Sequence, residues 1–203
     1  MRIVIVDYQM GNLRSVQKGL EHVGAGAIVS SDPNEIESAD KLILPGVGGF
    51  ADAIAELRKR ELTDSILKFV DSERPFLGIC LGLQMLFEIG TEGGEHKGLG
   101  VLPGRVERFP PSPELKVPHM GWNQVTIEQP DCPLLKGVPE TAYFYFVHSY
   151  YVAPSDAGLT WLNCDYGVNF CASVWRDNLF ATQFHPEKSQ KDGLQILRNF
   201  AEL

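Results

Sequence analysis

The segment Gly78-Ile79-Cys80-Leu81-Gly82 carries the residue types and spacing most suited to chemistry. It follows an apolar run, Pro75 to Ile79, and opens a helical pattern. A cysteine there has the setting of a nucleophile elbow, with Cys in place of Ser. The flanking glycines relieve crowding at a sharp strand-to-helix turn. The N–H groups at the helix start favour the thiolate, which is the reactive form. The N–H of Leu81, the residue after the nucleophile, would supply half of an oxyanion hole. The plain alternative is a buried structural cysteine beside packing glycines.

His185-Pro186-Glu187 is the second such segment. Pro186 pushes His185 towards an extended conformation. Residues i and i+2 of an extended segment point to one face. Glu187 would then fix the tautomer and orientation of His185 as a general base. The alternative is a surface pair at the start of the last helix, where the helix dipole favours Glu187. Pro45-Gly46-Val47-Gly48-Gly49 is the third segment, a glycine turn at a strand end. It can turn an N–H towards developing negative charge, as the other half of an oxyanion hole, or be an ordinary βα turn. Phosphate binding fits less well, because there is no P-loop lysine and no dinucleotide fingerprint. Together the three segments make a Cys-His-Glu acyl-transfer site. His22, His96, His119 and His148 pair with no Cys or carboxylate at ligand spacing, so neither metal nor cofactor is expected.

The elements that must position these residues alternate over the first two thirds of the chain. Arg2 to Val6, Lys41 to Leu44 and Pro75 to Ile79 have the continuous aliphatic pattern of parallel strands buried on both faces. Leu13, Val16, Leu20 and Val23 recur at helical spacing, with Gly24 as a stop. Ile54, Leu57 and Leu62, then Ile66, Phe69 and Val70, predict further helical faces, and Gly82 to Ile89 a helix after Cys80. After residue 98 the pattern changes. Val101 to Phe109, Trp122 to Ile127, Ala142 to Val152, Phe170 to Trp175 and Leu179 to Phe184 are expected as strands, and Ser189 to Leu203 as a final helix. The predicted architecture is an α/β sandwich: an open, mostly parallel, flavodoxin-like sheet flanked by helices, with extra antiparallel strands in the C-terminal half. Residues 1–203 are expected to form one domain.

Composition narrows the function. The 203 residues include 44% apolar and 22% charged types, ordinary for a globular domain. A net charge of −8 excludes a nucleic-acid binder, which needs a basic face. The longest apolar run is far short of the ~18 residues of a spanning helix, so no membrane association is expected. The N-terminal run Ile3 to Val6 is too short for a signal-peptide core. A reducing, cytoplasmic setting follows as the expectation. The four cysteines show no C-x-x-C pair or disulfide framework, leaving a thiol free for chemistry.

At Gly78-Ile79-Cys80-Leu81-Gly82-Leu83-Gln84 and Phe184-His185-Pro186-Glu187-Lys188-Ser189 the sequence resembles the triad (class I) glutamine amidotransferases. Asp7 to Leu13, Pro45 to Gly48, Pro118 to Asn123 and Tyr145 to Tyr150 resemble the branch that supplies histidine biosynthesis. Gln9 is a departure, standing where relatives often carry Gly. The resemblance implies hydrolysis of glutamine through a Cys80 thioester, with His185 and Glu187 completing the triad. It implies oxyanion donors from Leu81 and the Val47/Gly48 turn, and glutamine-binding residues Gln84, Ser149 and Tyr150. It implies a heterodimer in which ammonia passes to a cyclase chain with a (β/α)8 barrel, near Asn12, Trp122, Asn123, Tyr145 and Lys188. The 203 residues have no room for a barrel of ~250 residues, so a second chain is expected to use the ammonia. Two rivals stay open: a triad glutaminase serving anthranilate or pyridoxal phosphate synthesis, and a non-catalytic flavodoxin-like binding module.

Overall fold

The computed structural model describes residues 1–112 and 115–203. The chain opens with β1 (Ile3–Val6), α1 (Leu13–His22), β2 (Ala27–Ser30), α2 (Pro33–Glu37), β3 (Lys41–Gly46), α3 (Phe50–Lys59), α4 (Thr63–Asp71), β4 (Phe76–Cys80) and α5 (Leu81–Met85). Short strands follow: β5 (Phe87–Gly90), β6 (His96–Lys97), β7 (Leu102–Arg108), β8 (His119–Gln124) and β9 (Thr126–Ile127). The last part holds β10 (Tyr143–His148), β11 (Tyr150–Pro154), β12 (Thr160–Asp165), β13 (Asn169–Arg176), β14 (Leu179–Thr182) and α6 (Gln190–Glu202).

The main sheet runs β2-β1-β3-β4-β14-β13-β11-β7-β5-β6, with β12 and β9 added beside β13. The first five strands of that order are mutually parallel, and β14 to β7 pair antiparallel. The aliphatic runs explain the parallel part. Ile3 and Ile5 enter the core on one face, and Val4 and Val6 the core on the other. A strand apolar on both faces needs a layer on each side, so helices cover both. Lys41 is buried at the base of β3, and its Nζ donates to the Phe200 and Ala201 carbonyls at 3.0 and 2.6 Å. A cation there satisfies carbonyls left open at the C-terminal end of α6 and docks that helix on the sheet.

Three expected elements are divided differently. The helix after Cys80 ends at Met85 rather than Ile89, and Phe87–Gly90 is a strand along β7. Phe87 and Ile89 alternate with Glu88, and the strand pairing outweighs the weak helical preference of Phe and Ile. Ala142 to Val152 is two strands: β10 pairs with β8 in a separate ribbon, and β11 joins the main sheet. Trp122 to Ile127 likewise splits at Val125 between that ribbon and β9. Two-stranded pairings with different partners leave no mark on a sequence period. Four elements have no counterpart among the expected ones: the edge strand β2, the short α2 capped by the Asp32 side chain, the two-residue β6, and β12.

Close approach of backbone sets the β4–α5 junction. A Cβ on Gly82 would stand 1.8 Å from the Leu44 carbonyl oxygen, and one on Gly78 would stand 3.0 Å from the Ala181 Cβ. Both contacts reach strands flanking β4. Gly82→Ala is expected to destabilise the protein by about 3 kcal/mol, because the opposing atom is backbone and cannot turn aside. Urea denaturation of the variant measures this; unchanged stability would contradict the packing described.

Candidate active site

Cys80 ends β4 with φ 55° and ψ −109°, a backbone conformation that side chains rarely adopt. Such a residue costs on the order of 1–3 kcal/mol and persists only where its surroundings hold it. The parallel ladders on both sides and the Gly82 contact hold this one. The chain then turns directly into α5, with Cys80 at its N-cap and no side-chain cap hydrogen bond. Cys80 is nearly buried, at 7% exposure, and opens into a cleft of about 280 Å³.

His185 follows β14, the parallel neighbour of β4. Thr182 pairs with Ile79, so the two chains leave the sheet side by side. Its Nδ1 lies 2.8 Å from Glu187 Oε1, and both side chains are buried. The ionised carboxylate only accepts, so Nδ1 carries the hydrogen and Nε2 faces the cleft. Nε2 is buried without a hydrogen-bond partner. Burial opposes the charged imidazole, but the neighbouring Cys80 and Glu187 outweigh it and raise its proton affinity above the ordinary value. The His185 backbone is clamped as well. Its N–H donates to the Tyr145 carbonyl at 3.0 Å. The Ser189 hydroxyl donates to the His185 carbonyl at 2.6 Å and accepts the Tyr145 N–H at 2.9 Å.

Around these lie Val47, Gly48, Leu81, Gln84, Ser149, Tyr150 and His148, all lining the cleft with Cys80 and His185. Gln84 Nε2 donates to the Tyr150 carbonyl at 2.9 Å and to Gln183 Oε1 at 3.0 Å. In the glycine turn the Val47 N–H is bonded to the Met10 carbonyl at 3.3 Å, so in this conformation it does not face an oxyanion. Gly48 has φ 99°, and Gly46 lies so close to Tyr8 that a Cβ would meet its hydroxyl at 2.5 Å. Gln9 adopts φ 67°, the left-handed conformation that glycine takes most easily.

Glu92 carries no signal in the sequence pattern. It is the only carboxylate lining the cleft among the described residues, and its Oε2 accepts the Phe50 N–H at 2.7 Å. Its surroundings, Thr91 to Gly94, have no period or motif that would mark it. His119 and His148 form a buried pair, Nδ1 to Nε2 at 3.0 Å, and His148 Nδ1 donates to the Tyr150 carbonyl at 2.8 Å. Burial pushes His119 down to about 4 and His148 down to about 3, so both are neutral at pH 7.

Of the residues expected near a partner, Trp122 packs edge-on to Tyr145 at 6.1 Å, and Lys188 Nζ stands 5.9 Å from the same ring. Trp122 and Tyr145 are paired across β8 and β10. With exposed Met120 and Tyr143 they give that ribbon an apolar outer face. Asn123 turns the other way, and its Nδ2 donates to the Asp165 carbonyl at 2.9 Å. Asn12 caps α1 with its backbone, without a side-chain hydrogen bond. No helix among the described residues is long and apolar enough to cross a membrane.

A strained cysteine against a carboxylate-oriented histidine, at the C-terminal edge of a parallel sheet, is the constellation of a thiol acyl-transfer enzyme. The family model described as "Glutamine amidotransferase class-I" matches residues 4–203, and the chain belongs to that family. Solved structures share the fold: "Structure of PurLQS from Thermotoga maritima" superposes with a TM-score of 0.78 at 20% identity, covering 99% of this chain and 97% of that one. "Crystal structure of glutamine amidotransferase" does so with a TM-score of 0.75 at 20% identity, covering 98% and 99%. The chain is similar along nearly its whole length to proteins named imidazole glycerol phosphate synthase subunit HisH. That of Syntrophotalea carbinolica is 56% identical, covering 99% of this chain and 100% of the relative. That of Rhodopirellula baltica is 58% identical, covering 98% and 96%.

Burial pushes the thiols of Cys132, Cys164 and Cys171 up to about 12, and none of the three lines the cleft. A chloroketone analogue of glutamine at pH 7 is therefore expected to label Cys80 alone, as read by peptide mass spectrometry. Equal labelling of the four would refute the assignment.

Proposed function

We propose that the chain is the glutaminase subunit of imidazole glycerol phosphate synthase, acting as one amidotransferase domain in the cytoplasm. The carrying observation is the strained Cys80 beside the His185–Glu187 pair, 2.8 Å apart. The Cys80 thiolate attacks the side-chain amide carbon of glutamine. The electron pair moves to the amide oxygen, where backbone N–H groups of Leu81 and of the glycine turn receive it. Such a donor contributes about 3–4 kcal/mol in other enzymes. The C–N bond then breaks, and His185 gives its proton to the departing ammonia. Neutral His185 next takes a proton from water, whose oxygen adds to the thioester; the C–S bond breaks and glutamate leaves. Glu187 keeps the imidazole in the tautomer both steps require.

Gln84, Ser149 and Tyr150 hold the amino-acid end of glutamine, and Glu92 accepts its ammonium. Glu92→Gln is expected to raise KM about tenfold with a smaller effect on kcat, since it removes one charge-assisted hydrogen bond. Steady-state kinetics measure this, and an unchanged KM would remove Glu92 from the substrate site.

Ammonia passes to a cyclase chain with a (β/α)8 barrel. There it reacts with phosphoribulosyl-formimino aminoimidazole carboxamide ribotide, giving imidazole glycerol phosphate and aminoimidazole carboxamide ribotide. Trp122, Tyr145 and Lys188, with Asn12 and Asn123 at the margin, meet that chain; an exposed apolar ribbon suits such a contact. The Val47 N–H bonded to Met10 is the resting state, and a flip of the Gly46–Val47 peptide towards the site follows ligand binding in the partner. Glutaminase turnover should therefore rise sharply only with both the cyclase and its ribotide present. Cys80→Ser should abolish glutamine-dependent synthesis and leave ammonia-dependent synthesis intact. Equal turnover by the isolated chain would refute the resting state, and loss of both activities would make Cys80 structural.

A further inference from the structure

A polar side chain that the proposed steps do not use lies beside the nucleophile. Gln183, two residues before His185, is fully buried, and its Nε2 lies 3.7 Å from Cys80 Sγ. Which end of an amide faces a neighbour follows from what its partners can do. A backbone carbonyl anchors this network. The Tyr150 carbonyl can only accept, so the Gln84 group 2.9 Å from it is the NH2. The same NH2 lies 3.0 Å from Gln183, so the Gln183 atom there is the carbonyl oxygen. The Gln183 NH2 is left pointing at the sulfur. The opposite orientation would set two NH2 groups against each other and a carbonyl oxygen against a thiolate.

We infer that Gln183 is a hydrogen-bond donor to the Cys80 thiolate, held in that orientation by Gln84. This rests on Cys80 being the nucleophile. The titratable groups around the sulfur are His185 with Glu187 behind it, the buried Tyr8, and neutral His148 across the cleft. His185 loses its positive charge when it protonates ammonia. Gln183 cannot titrate, so its donor serves the sulfur at every stage. It stabilises the thiolate before attack. It does so again when the C–S bond of the thioester breaks and the electron pair returns to sulfur. Gln84 is then a positioning residue as well as a wall of the substrate site. Both hydrogens of its NH2 are committed, which leaves Oε1 as the Gln84 atom open to a donor on glutamine.

The test is alkylation of Cys80 by iodoacetamide as a function of pH, in the full-length chain, quantified by peptide mass spectrometry. Thermal denaturation checks the fold of each variant. Gln183→Met should slow Cys80 alkylation at pH 7 about tenfold and move the alkylation profile to higher pH. Gln183→Glu, the closer match in shape, should slow it further, because a carboxylate brings charge and no donor; it carries the test if the Met variant does not fold. Gln84→Leu should give part of the shift by freeing the Gln183 amide. With the cyclase and its ribotide present, Gln183→Met should lower kcat and leave KM unchanged. An alkylation profile superimposable on the wild type in a folded Gln183 variant overturns the inference. Alkylation reads the thiol and not glutamine turnover. A shifted profile in a chain without glutaminase activity would therefore uphold Gln183 as donor and refute the proposed function alone.

Discussion

The backbone of Cys80 is the constraint around which the site is built. Its positive φ projects the sulfur out of the strand and into the mouth of α5, and that conformation is unfavourable for any residue with a side chain. Three features hold it. β4 is paired on both sides, to β3 and β14. Gly82 lies against the Leu44 carbonyl where no Cβ fits, and Gly78 against Ala181. The strained turn leads straight into α5, and Cys80 opens into the same cleft as His185.

β14 connects this strained residue to its base. It lies in the sheet beside β4, though about a hundred residues separate them in sequence. Because they are parallel and in register, Cys80 and His185 leave the sheet together. The Tyr145 backbone and the Ser189 hydroxyl then clamp His185. Tyr145 belongs to the ribbon that carries Trp122 on its exposed face, so the strand that forms the surface proposed for the partner is bonded directly to the catalytic base. A displacement of β10 would reach His185 through the Tyr145 carbonyl directly and through the Ser189 hydroxyl. This coupling is spatial; double-mutant cycles are what would give it an energy.

Much of this was legible in the residues. The aliphatic runs of β1, β3 and β4 have few other uses than a parallel sheet covered on both faces. The glycines around Cys80 announced the elbow, and the Pro between His185 and Glu187 announced their shared face. Other parts left no such trace. Glu92 lies in a polar glycine loop whose pattern resembles any surface turn. Gln183 stands in an apolar stretch, and only its neighbours show that its amide is aimed at the sulfur. The ribbon of β8 and β10 has no boundary in the sequence against β9 and β11, because strand period is blind to the choice of partner. The Val47 N–H is bonded to Met10, and composition does not choose between the orientations open to a glycine-flanked peptide.

The sequence alone therefore determined which groups exist and their local geometry: a thiol at a strand–helix turn, an imidazole with a carboxylate two residues on, and a flexible peptide at a strand end. These are short-range matters, decided by φ/ψ preference and side-chain spacing. Tertiary structure decided the rest. It set β14 beside β4, bringing base to nucleophile. It folded Glu92 into the cleft, turned the Gln183 amide by way of Gln84 and Tyr150, and bonded Val47 to Met10. Those choices depend on which strands pair and which donors find acceptors across the fold, and distance along the chain carries no record of either.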